Sequence, residues 1–256
     1  MYAAERHQVL VRRAQELGRL EVTAIAAELG VTTETIRRDL TALERQGLLQ
    51  RVHGGAIAAG RLEVEPGVAQ RDATASEEKD RIAKAAVAEL GPASTILLDA
   101  GTTTARMAAL LPDDTPLTVV TNALPIASLL APRHRITVHM IGGRVRGTTL
   151  SAVDRWALQT LESVNVDVAV LGTNGFSVDR GLTTPDVAEA AVKGAMLRAG
   201  ARSIVVADAG KYGADSFSRF ATLEQVDTLV TDARLAADHP EAPEALRAAG
   251  PELVIA

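Results

Sequence analysis

Residues 31–47 read VTTETIRRDLTALERQG, a pattern with the 3.6-residue period of an amphipathic helix. At 100° per residue, Ile36, Leu40 and Leu43 fall within a narrow arc, so they predict a buried face. The opposite side of the same helix carries polar and basic side chains, Glu34, Arg38, Thr41 and Arg45, and Thr35 and Arg37 flank them.

A shorter helical pattern lies just before this one, from Thr23 to Leu29, and Gly30 follows it. A further helix, the first of the three, is predicted from about Ala4 to Leu17. Thr32 or Thr33 suits the N-cap of the third helix, the one within residues 31–47. Two helices joined by a turn of three or four residues form a helix-turn-helix, and the second helix of that motif enters the major groove of DNA.

Residues 47–56 read GLLQRVHGGA, two short extended segments that carry basic side chains and end in a glycine pair. Placed directly after the helix, this pattern predicts the wing of a winged helix-turn-helix. A solvated helix face is the alternative interpretation, and it would be favoured if the helix stood alone. The candidate DNA contacts are Thr32, Thr33, Glu34, Thr35, Arg37, Arg38, Thr41, Arg45, Arg51 and His53.

The composition fits a two-domain protein with one DNA-binding part. The chain has 256 residues, a formal net charge of −5 and no cysteine, which excludes disulfides and cysteine zinc sites. Residues 1–57 hold eight arginines against seven acidic residues, a balance of +1, so the remainder carries −6. No apolar run is long enough for a membrane helix and the amino terminus lacks a signal-peptide pattern, so we expect a cytoplasmic protein.

The domain boundaries follow from the loss of periodicity after the wing. Residues 58–75 have no clear period and contain glycine and proline. We therefore predict a DNA-binding domain at 1–57, a linker at 58–75 and a second domain at 76–256.

Apolar runs alternate with helical patterns throughout the second domain. Near-continuous apolar strands separated by helices favour an α/β fold with a largely parallel sheet that is covered on both faces. The predicted strands are Thr95–Asp99, Leu117–Thr121, Ile136–Ile141, Val166–Leu171, Ser203–Ala207, Asp227–Thr231 and Leu253–Ile255.

Polar or glycine-rich clusters follow six of these strands. Parallel strands bring their carboxyl ends to one rim, where ligands of open α/β folds bind. Threonines entering a helix offer amides and hydroxyls to a phosphate, basic side chains neutralise it, and Asp or Asn can bind sugar hydroxyls. The candidate effector-binding residues are Asp99, Gly101, Thr102, Thr103, Thr104, Thr121, Asn122, Gly142, Gly143, Arg144, Asn174, Lys193, Asp208 and Lys211.

Several other polar or aromatic positions have a plainer interpretation. Glu189 and Lys193 are four apart on a predicted helix, so a surface ion pair and a binding role both stay open. Arg146 is expected to be solvated. Trp156, the single tryptophan, is expected in a core or at an oligomer interface.

Two groups of motifs resemble the DeoR family of bacterial regulators. The first is VTTETIRRDL at 31–40 with RVHGGA at 51–56. The second group, in the remaining chain, is DAGTTT at 99–104, VTNA at 120–123, GTNG at 172–175, GLTTPD at 181–186 and ADAGK at 207–211.

This resemblance implies a sensor domain related to ribose-5-phosphate isomerase and the coenzyme A transferases, with a sugar phosphate bound at Gly101 to Thr104. It further implies a repressor of a sugar-catabolic operon that releases operator DNA when the ligand binds. We expect this repressor to act as a homo-oligomer, either a dimer or a tetramer. No metal or cofactor is expected. Residues 145–146 and 182–186 are most similar to fructose-operon repressors, which favours fructose 1-phosphate as the effector. One departure is Asp154, where the family commonly has glycine.

Two other functions use the same residues. A sugar-phosphate isomerase fused to a DNA-binding domain would draw its acid and base from Asp99, Glu189, Asp208 and Lys211. A transcriptional activator with the same sensor is the other alternative, because the sequence does not reveal the sign of regulation. The complete winged helix favours a regulator over an enzyme.

Overall fold

The computed structural model describes residues 3–17, 19–45, 48–52, 55–58 and 67–256. The chain divides into two units, Met1–Val64 and Glu65–Ala256. The described elements of the first unit are α1 (Ala3–Leu17), β1 (Arg19–Glu21), α2 (Val22–Leu29), α3 (Thr33–Arg45), β2 (Leu49–Val52) and β3 (Gly55–Ala58).

Helix α3 forms where the periodicity predicts it. Ile36, Leu40 and Leu43 are fully or almost fully buried, and they pack in one apolar cluster with residues of α1 and α2. The Thr32 hydroxyl accepts a hydrogen bond from the Thr35 amide at 3.2 Å, which confirms Thr32 as the N-cap. Gly30 ends α2 at φ +64°, a conformation that favours glycine and gives the turn of the helix-turn-helix.

A buried polar cluster holds α1 against α3. Arg6 donates to Asp39 through Nε at 2.5 Å and Nη2 at 3.1 Å, and His7 Nε2 lies 3.0 Å from the same carboxylate. Burial alone would raise the pKa of Asp39, but the hydrogen bonds from Arg6 and His7 lower it. Strands β2 and β3 then pair antiparallel, with β1 on the outer side of β3. This hairpin is the predicted wing.

The second unit contains both a large parallel sheet and smaller antiparallel pieces. Its helices are α4 (Val68–Ala73), α5 (Ser76–Ala88), α6 (Thr102–Ala109), α7 (Leu124–Leu130), α8 (Arg155–Leu161), α9 (Val187–Ala199), α10 (Arg234–Asp238) and α11 (Ala242–Ala248). Its strands are β4 (Thr95–Leu98), β5 (Leu117–Thr121), β6 (Ile136–Met140), β7 (Arg144–Arg146), β8 (Ser151–Val153), β9 (Val166–Gly172), β10 (Gly175–Ser177), β11 (Gly181–Thr184), β12 (Gly200–Val206), β13 (Ser218–Ala221), β14 (Thr228–Thr231) and β15 (Glu252–Ile255).

The large sheet has seven parallel strands in the order β15-β14-β12-β9-β4-β5-β6. These are the seven strands predicted from the apolar runs, so the predicted fold class is confirmed. Separate apolar clusters cover the two faces of the sheet. Along the chain, β5 and β6 add to one side of β4, and β9, β12, β14 and β15 then add to its other side. This change of direction makes the carboxyl ends of β4 and β9 a topological switch point.

The structure adds elements that the apolar runs did not predict. Strands β7 and β8 form a short antiparallel hairpin, and β10, β11 and β13 form a second small sheet. Helix α4 lies within residues 58–75, the segment predicted as the linker. Across the described parts of the chain, every helix is too short or too polar to span a membrane.

Candidate functional site

The exposed face of α3 presents the polar side chains that the sequence singles out for DNA. The side chain of Arg38 is 82% exposed and that of Arg37 is 53% exposed. Glu34 lies 3.6 Å from Arg37 and 3.8 Å from Arg38, as loose ion pairs on the helix surface. The Thr41 hydroxyl donates to the Arg37 carbonyl at 2.8 Å. Both guanidinium groups therefore stand free of the protein interior.

The remaining DNA candidates lie in the described part of the winged helix-turn-helix, apart from His53. Thr32 caps α3 and its hydroxyl also lies 2.9 Å from that of Thr35. Thr33 is the first residue of α3, Arg45 is the last, and Arg51 lies in β2. His53 lies outside the described residues.

In the second unit, Asp99 and Lys193 form a buried ion pair at the switch point. Asp99 directly follows β4 and is 2% exposed, and Lys193 projects from α9 and is 5% exposed. Lys193 Nζ contacts Asp99 Oδ2 and donates to the Gly172 carbonyl at 2.9 Å, while the Gly172 amide donates to Asp99 at 3.2 Å. Burial raises the pKa of Asp99, and Lys193 partly offsets that rise. A surface pair between Glu189 and Lys193, left open by the sequence, is excluded because both side chains are buried.

Lys211 joins this cluster from the turn after β12. Its Nζ donates to the Thr173 carbonyl at 2.6 Å, one residue beyond the Gly172 carbonyl that Lys193 binds. Asp208 lies 4.0 Å away. Burial of the amine lowers the pKa of Lys211 to about 8, Asp208 opposes that change, and nearby cations add to it.

Lys79 is a cation of this region that the sequence analysis missed. It is 3% exposed on α5, and its amine donates to the carbonyls of Arg71 and, at 2.7 Å, Thr74. Burial lowers the pKa of Lys79, whereas the charge of Asp208 opposes that change. The sequence does contain a signal for this burial, which is the spacing of Lys79 along α5. Buried Ile82 and the alanines at 83 and 86 follow Lys79 by 3, 4 and 7 residues, so Lys79 lies on the same apolar face of the helix.

Helix α6 begins beside this cluster with its three threonines. Gly101 is the N-cap, and Thr102 and Thr103 are largely buried in the first turn, at 8% and 5% exposure. The Thr104 hydroxyl donates to the carbonyls of Asp99 at 2.7 Å and Gly101 at 3.0 Å. The first amides of a helix have no partner within it and suit an anion.

At the next strand end, Thr121 and Asn122 have different environments. The Thr121 hydroxyl donates to the Leu98 carbonyl at 2.7 Å and accepts from the Ala123 amide at 3.0 Å. Asn122 donates to the Ala152 carbonyl at 3.1 Å. Its side-chain oxygen is buried and has no hydrogen-bond partner among the described residues. An acceptor buried in this way is costly unless a ligand or water satisfies it.

Glu189 and Arg146 form a second buried ion pair between α9 and the β7–β8 hairpin. Arg146 Nη1 lies 2.6 Å from Glu189 Oε1, and its Nε lies 3.3 Å from Asp186. Burial alone would raise the pKa of Glu189, but Lys193, Thr149 and Arg146 lower it. The prediction that Arg146 is solvated is therefore wrong.

The residues that follow β6 lie in and around the same hairpin. Gly143 has φ +151°, and a Cβ there would come within 2.4 Å of the Val153 carbonyl. Gly142 has open space at the Cβ position. Arg144 is 60% exposed and donates to Asp154 at 2.6 Å. Asn174, at the end of β9, accepts a hydrogen bond from Thr184 at 3.0 Å.

The candidate effector residues therefore fall into two groups. Asp99, Lys193, Asp208 and Lys211 converge at the ends of β4, β9 and β12. The other candidate effector residues lie outside this convergence, and Arg144 is largely exposed to solvent. Within the described ranges, histidine, aspartate and glutamate form no group of three or more that is suited to a metal ion.

A winged helix-turn-helix followed by a parallel α/β unit is the architecture of a two-domain DNA-binding regulator. Comparison with known proteins agrees. Residues 6–61 match the DeoR-like helix-turn-helix domain and residues 74–233 match the DeoR C terminal sensor domain.

Two similar curated proteins span almost the same length. The chain is 37% identical to the HTH-type transcriptional regulator GlpR of Haloferax volcanii, covering 94% of both chains. It is 29% identical to the glycerol-3-phosphate regulon repressor of Escherichia coli K12, covering 91% of this chain and 92% of the other. Among solved structures, ribose 5-phosphate isomerase A of Methanocaldococcus jannaschii matches 54% of this chain and 55% of its own, with 16% identity and a TM-score of 0.41.

The chain belongs to the DeoR family of transcriptional regulators. It is a regulator and not an enzyme, which confirms the choice that the complete winged helix favoured over a fused isomerase.

Proposed function

We propose that this protein is a transcriptional repressor that binds operator DNA through α3 and its wing and leaves it when a phosphorylated sugar binds at the switch point. In this proposal residues 1–57 bind DNA and residues 76–256 bind the effector, with residues 58–75 connecting them. Apart from the DNA, the proposed ligand is the effector, and the proposal includes no cofactor.

The observation that carries the proposal is a group of buried or half-buried lysines: Lys193 and Lys211 bind the successive carbonyls of Gly172 and Thr173 at the end of β9, and buried Lys79 lies on α5 within electrostatic reach of Lys211. The charges of Lys79, Arg71 and Lys193 all lower the pKa of Lys211, so they lie within electrostatic reach of its amine. Burying like charges together is unfavourable, and a doubly charged phosphate would relieve it. The first turn of α6 adds backbone amides at the same rim.

The sugar part of the ligand has its own candidate partners. The buried and unpartnered oxygen of Asn122 is an acceptor for a sugar hydroxyl, and Asp99 and Asp208 are further acceptors close to the lysines. A site that combines acceptors with cations favours a phosphorylated sugar over either a neutral sugar or inorganic phosphate. Fructose 1-phosphate is the first ligand to test, because residues 145–146 and 182–186 resemble fructose-operon repressors.

DNA binding follows the helix-turn-helix mode. In this proposal α3 enters the major groove, with Arg37 and Arg38 reaching base edges or phosphates, and the chain assembles as a homo-oligomer that places two such helices on two half-sites. The effector then shifts the population towards an arrangement in which the two helices no longer match those half-sites. A differential affinity of about 1–3 kcal/mol between the two arrangements is typical for such coupling.

The test is a mobility shift on the DNA upstream of the gene, titrated with fructose 1-phosphate and a panel of other sugar phosphates. Release by one of them, and not by the matching unphosphorylated sugar, supports the proposal. Lys211→Met should then bind the same DNA with unchanged affinity but no longer respond to the effector. Specific DNA binding that no sugar phosphate disturbs would refute the proposed effector site. Tighter DNA binding in the presence of the ligand would refute release of the operator by the effector.

A further inference from the structure

Strand β6 is an open edge of the seven-stranded sheet. It pairs with β5, and the described strands include none on its other side. The Leu117 amide donates to the Arg135 carbonyl and the Ile141 amide donates to the Thr121 carbonyl, so the odd-numbered residues of β6 turn their backbone groups towards β5. The backbone N–H and C=O of Val138 and Met140 therefore point to the open side.

Strand β6 itself lacks most of the features that usually keep an exposed strand from pairing, and the nearest permanent charge is Arg135, directly before the strand. Charged side chains, prolines and bulges normally protect an edge strand. The sequence of β6 is ITVHM, without a lysine, an acidic residue or a proline, and its register with β5 is regular. The opposite edge strand, β15, carries a charged residue, Glu252, within the strand itself. Thr137, His139 and Met140 are exposed on β6, so the unprotected edge faces solvent in the single chain.

The sheet surface next to β6 is also left open. A cavity of about 390 Å³ lies there, lined by Thr118, Val120 and His139 on the strands, by Thr160 near the end of α8 and by Val164 three residues after that helix. Elsewhere apolar clusters cover both faces of the sheet. One turn before Thr160 on α8, Trp156 is 73% exposed. An open edge, an open corner of the sheet and a large exposed aromatic ring therefore belong to one side of the unit.

We propose that β6 pairs antiparallel with β6 of a second copy of this chain, about a two-fold axis at Val138. Such an interface is isologous, so the same strand must complement itself. In this register Val138 pairs with its own equivalent, Met140 faces Ile136, and Thr137 faces His139. No two like charges stand opposite each other, which is the requirement for cross-strand pairs. The inference rests on the proposed function in one respect, because each chain has one DNA-binding helix and two half-sites need two chains.

The register can be tested by placing charges at the two exposed positions that face each other. Thr137→Lys with His139→Lys puts lysine opposite lysine twice, and we expect it to halve the mass measured by sedimentation or light scattering. Thr137→Lys with His139→Glu puts opposite charges face to face, and we expect it to restore the wild-type mass. Ile255→Lys adds a charge at the opposite edge strand and should leave the mass unchanged. Circular dichroism melting checks that every variant is folded.

Three results would overturn the proposal. These are a wild-type protein with the mass of one chain, a doubly lysine-substituted variant with the wild-type mass, and a failure of the charge-paired variant to reassociate. Calorimetric titration of fructose 1-phosphate into the same proteins keeps the two proposals apart, because the substituted residues lie outside the lysine cluster. A wild-type protein that shows the expected masses but binds no sugar phosphate would refute the effector proposal and leave this interface standing.

Discussion

Arg146 Nη1 lies 2.6 Å from Glu189 Oε1, and the two side chains retain only 15% and 7% of their exposure. Thr149 and Ser151 donate to the same carboxylate oxygen at 2.5 and 3.0 Å. This network fastens the β7–β8 hairpin to α9, the helix that also carries Lys193. The ion pair therefore stabilises the position of α9, which carries a residue of the candidate effector site, and it is not a solvent-exposed pair.

Removing Arg146 should strongly destabilise the second unit. Arg146→Ala removes the one cation that contacts Glu189 among the described residues and leaves the buried carboxylate with the charge of Lys193, and breaking a buried pair typically costs about 3–5 kcal/mol. Arg144→Ala is a matched control two residues away on β7, because the Arg144–Asp154 pair is exposed and should contribute no more than about 1 kcal/mol. Chemical denaturation measures both variants, and equal losses would contradict the burial of Arg146.

Glu189 should also contribute to acid sensitivity. Its pKa is lowered in the folded protein relative to the usual 4.5, so the folded state favours the charged form. The stabilisation is therefore complete above about pH 4.5 and is lost as the pH falls through the lowered pKa. Glu189→Gln should have a lower free energy of unfolding at pH 7 and a shallower decline below pH 4.5 than the wild type. A parallel decline in both proteins would show that Glu189 does not carry this dependence.

Asp154 stands in a backbone conformation that favours glycine. Its φ of +74° and ψ of −165° lie in a region that is almost restricted to glycine and costs other residues about 1–3 kcal/mol. Asp154→Gly should therefore raise the free energy of unfolding by about 1 kcal/mol, after the loss of the Arg144 pair and the extra chain entropy of glycine. Asp154→Asn keeps the strained backbone and should bring no gain in the same thermal or chemical melts.

The sequence predicts the scaffold well because local patterns determine it. The apolar runs locate all seven strands of the parallel sheet, and the 3.6-residue period of residues 31–47 locates α3 and its buried side. The family resemblance singles out Asp154 as a departure from glycine, and the positive φ explains why glycine suits this position.

Long-range pairing is what the sequence does not reveal. Arg146 looks solvated because its partner, Glu189, is 43 residues further along the chain and the three-residue strands of the hairpin carry little periodicity. Lys79 stands among charged neighbours on α5; its spacing places it on the buried stripe, but its partners, the carbonyls of residues 71 and 74, cannot be identified from that spacing. Trp156 does not lie in the core, so that part of its prediction is wrong, while a place at an oligomer interface stays a prediction.

Arg38 should contribute to operator binding without contributing to folding. Its side chain is the more exposed of the two neighbouring arginines on α3, and Glu34 holds it only loosely at 3.8 Å. If it contacts a base, Arg38→Ala should weaken specific operator binding by about 1–3 kcal/mol and leave binding to random DNA nearly unchanged. Arg81→Ala, an exposed arginine on α5, removes the same charge and should have no such effect. Equal losses on both DNAs would make Arg38 a phosphate contact instead.

Lys211 should make effector binding sensitive to alkaline pH. Its pKa is lowered to about 8 in the free protein, so its amine is charged at pH 7 and mostly neutral by about pH 9. A bound phosphate dianion would favour the charged form and raise that pKa, so the affinity for a phosphorylated sugar must fall as the pH rises above 8. Calorimetric titration with fructose 1-phosphate from pH 7 to pH 9 measures this fall, and proton uptake near pH 8, seen as a dependence of the binding heat on the buffer, accompanies it. Lys211→Met should bind the ligand weakly at pH 7 and lose most of the pH dependence. A wild-type affinity that stays constant over this range would show that the Lys211 amine does not contact the phosphate.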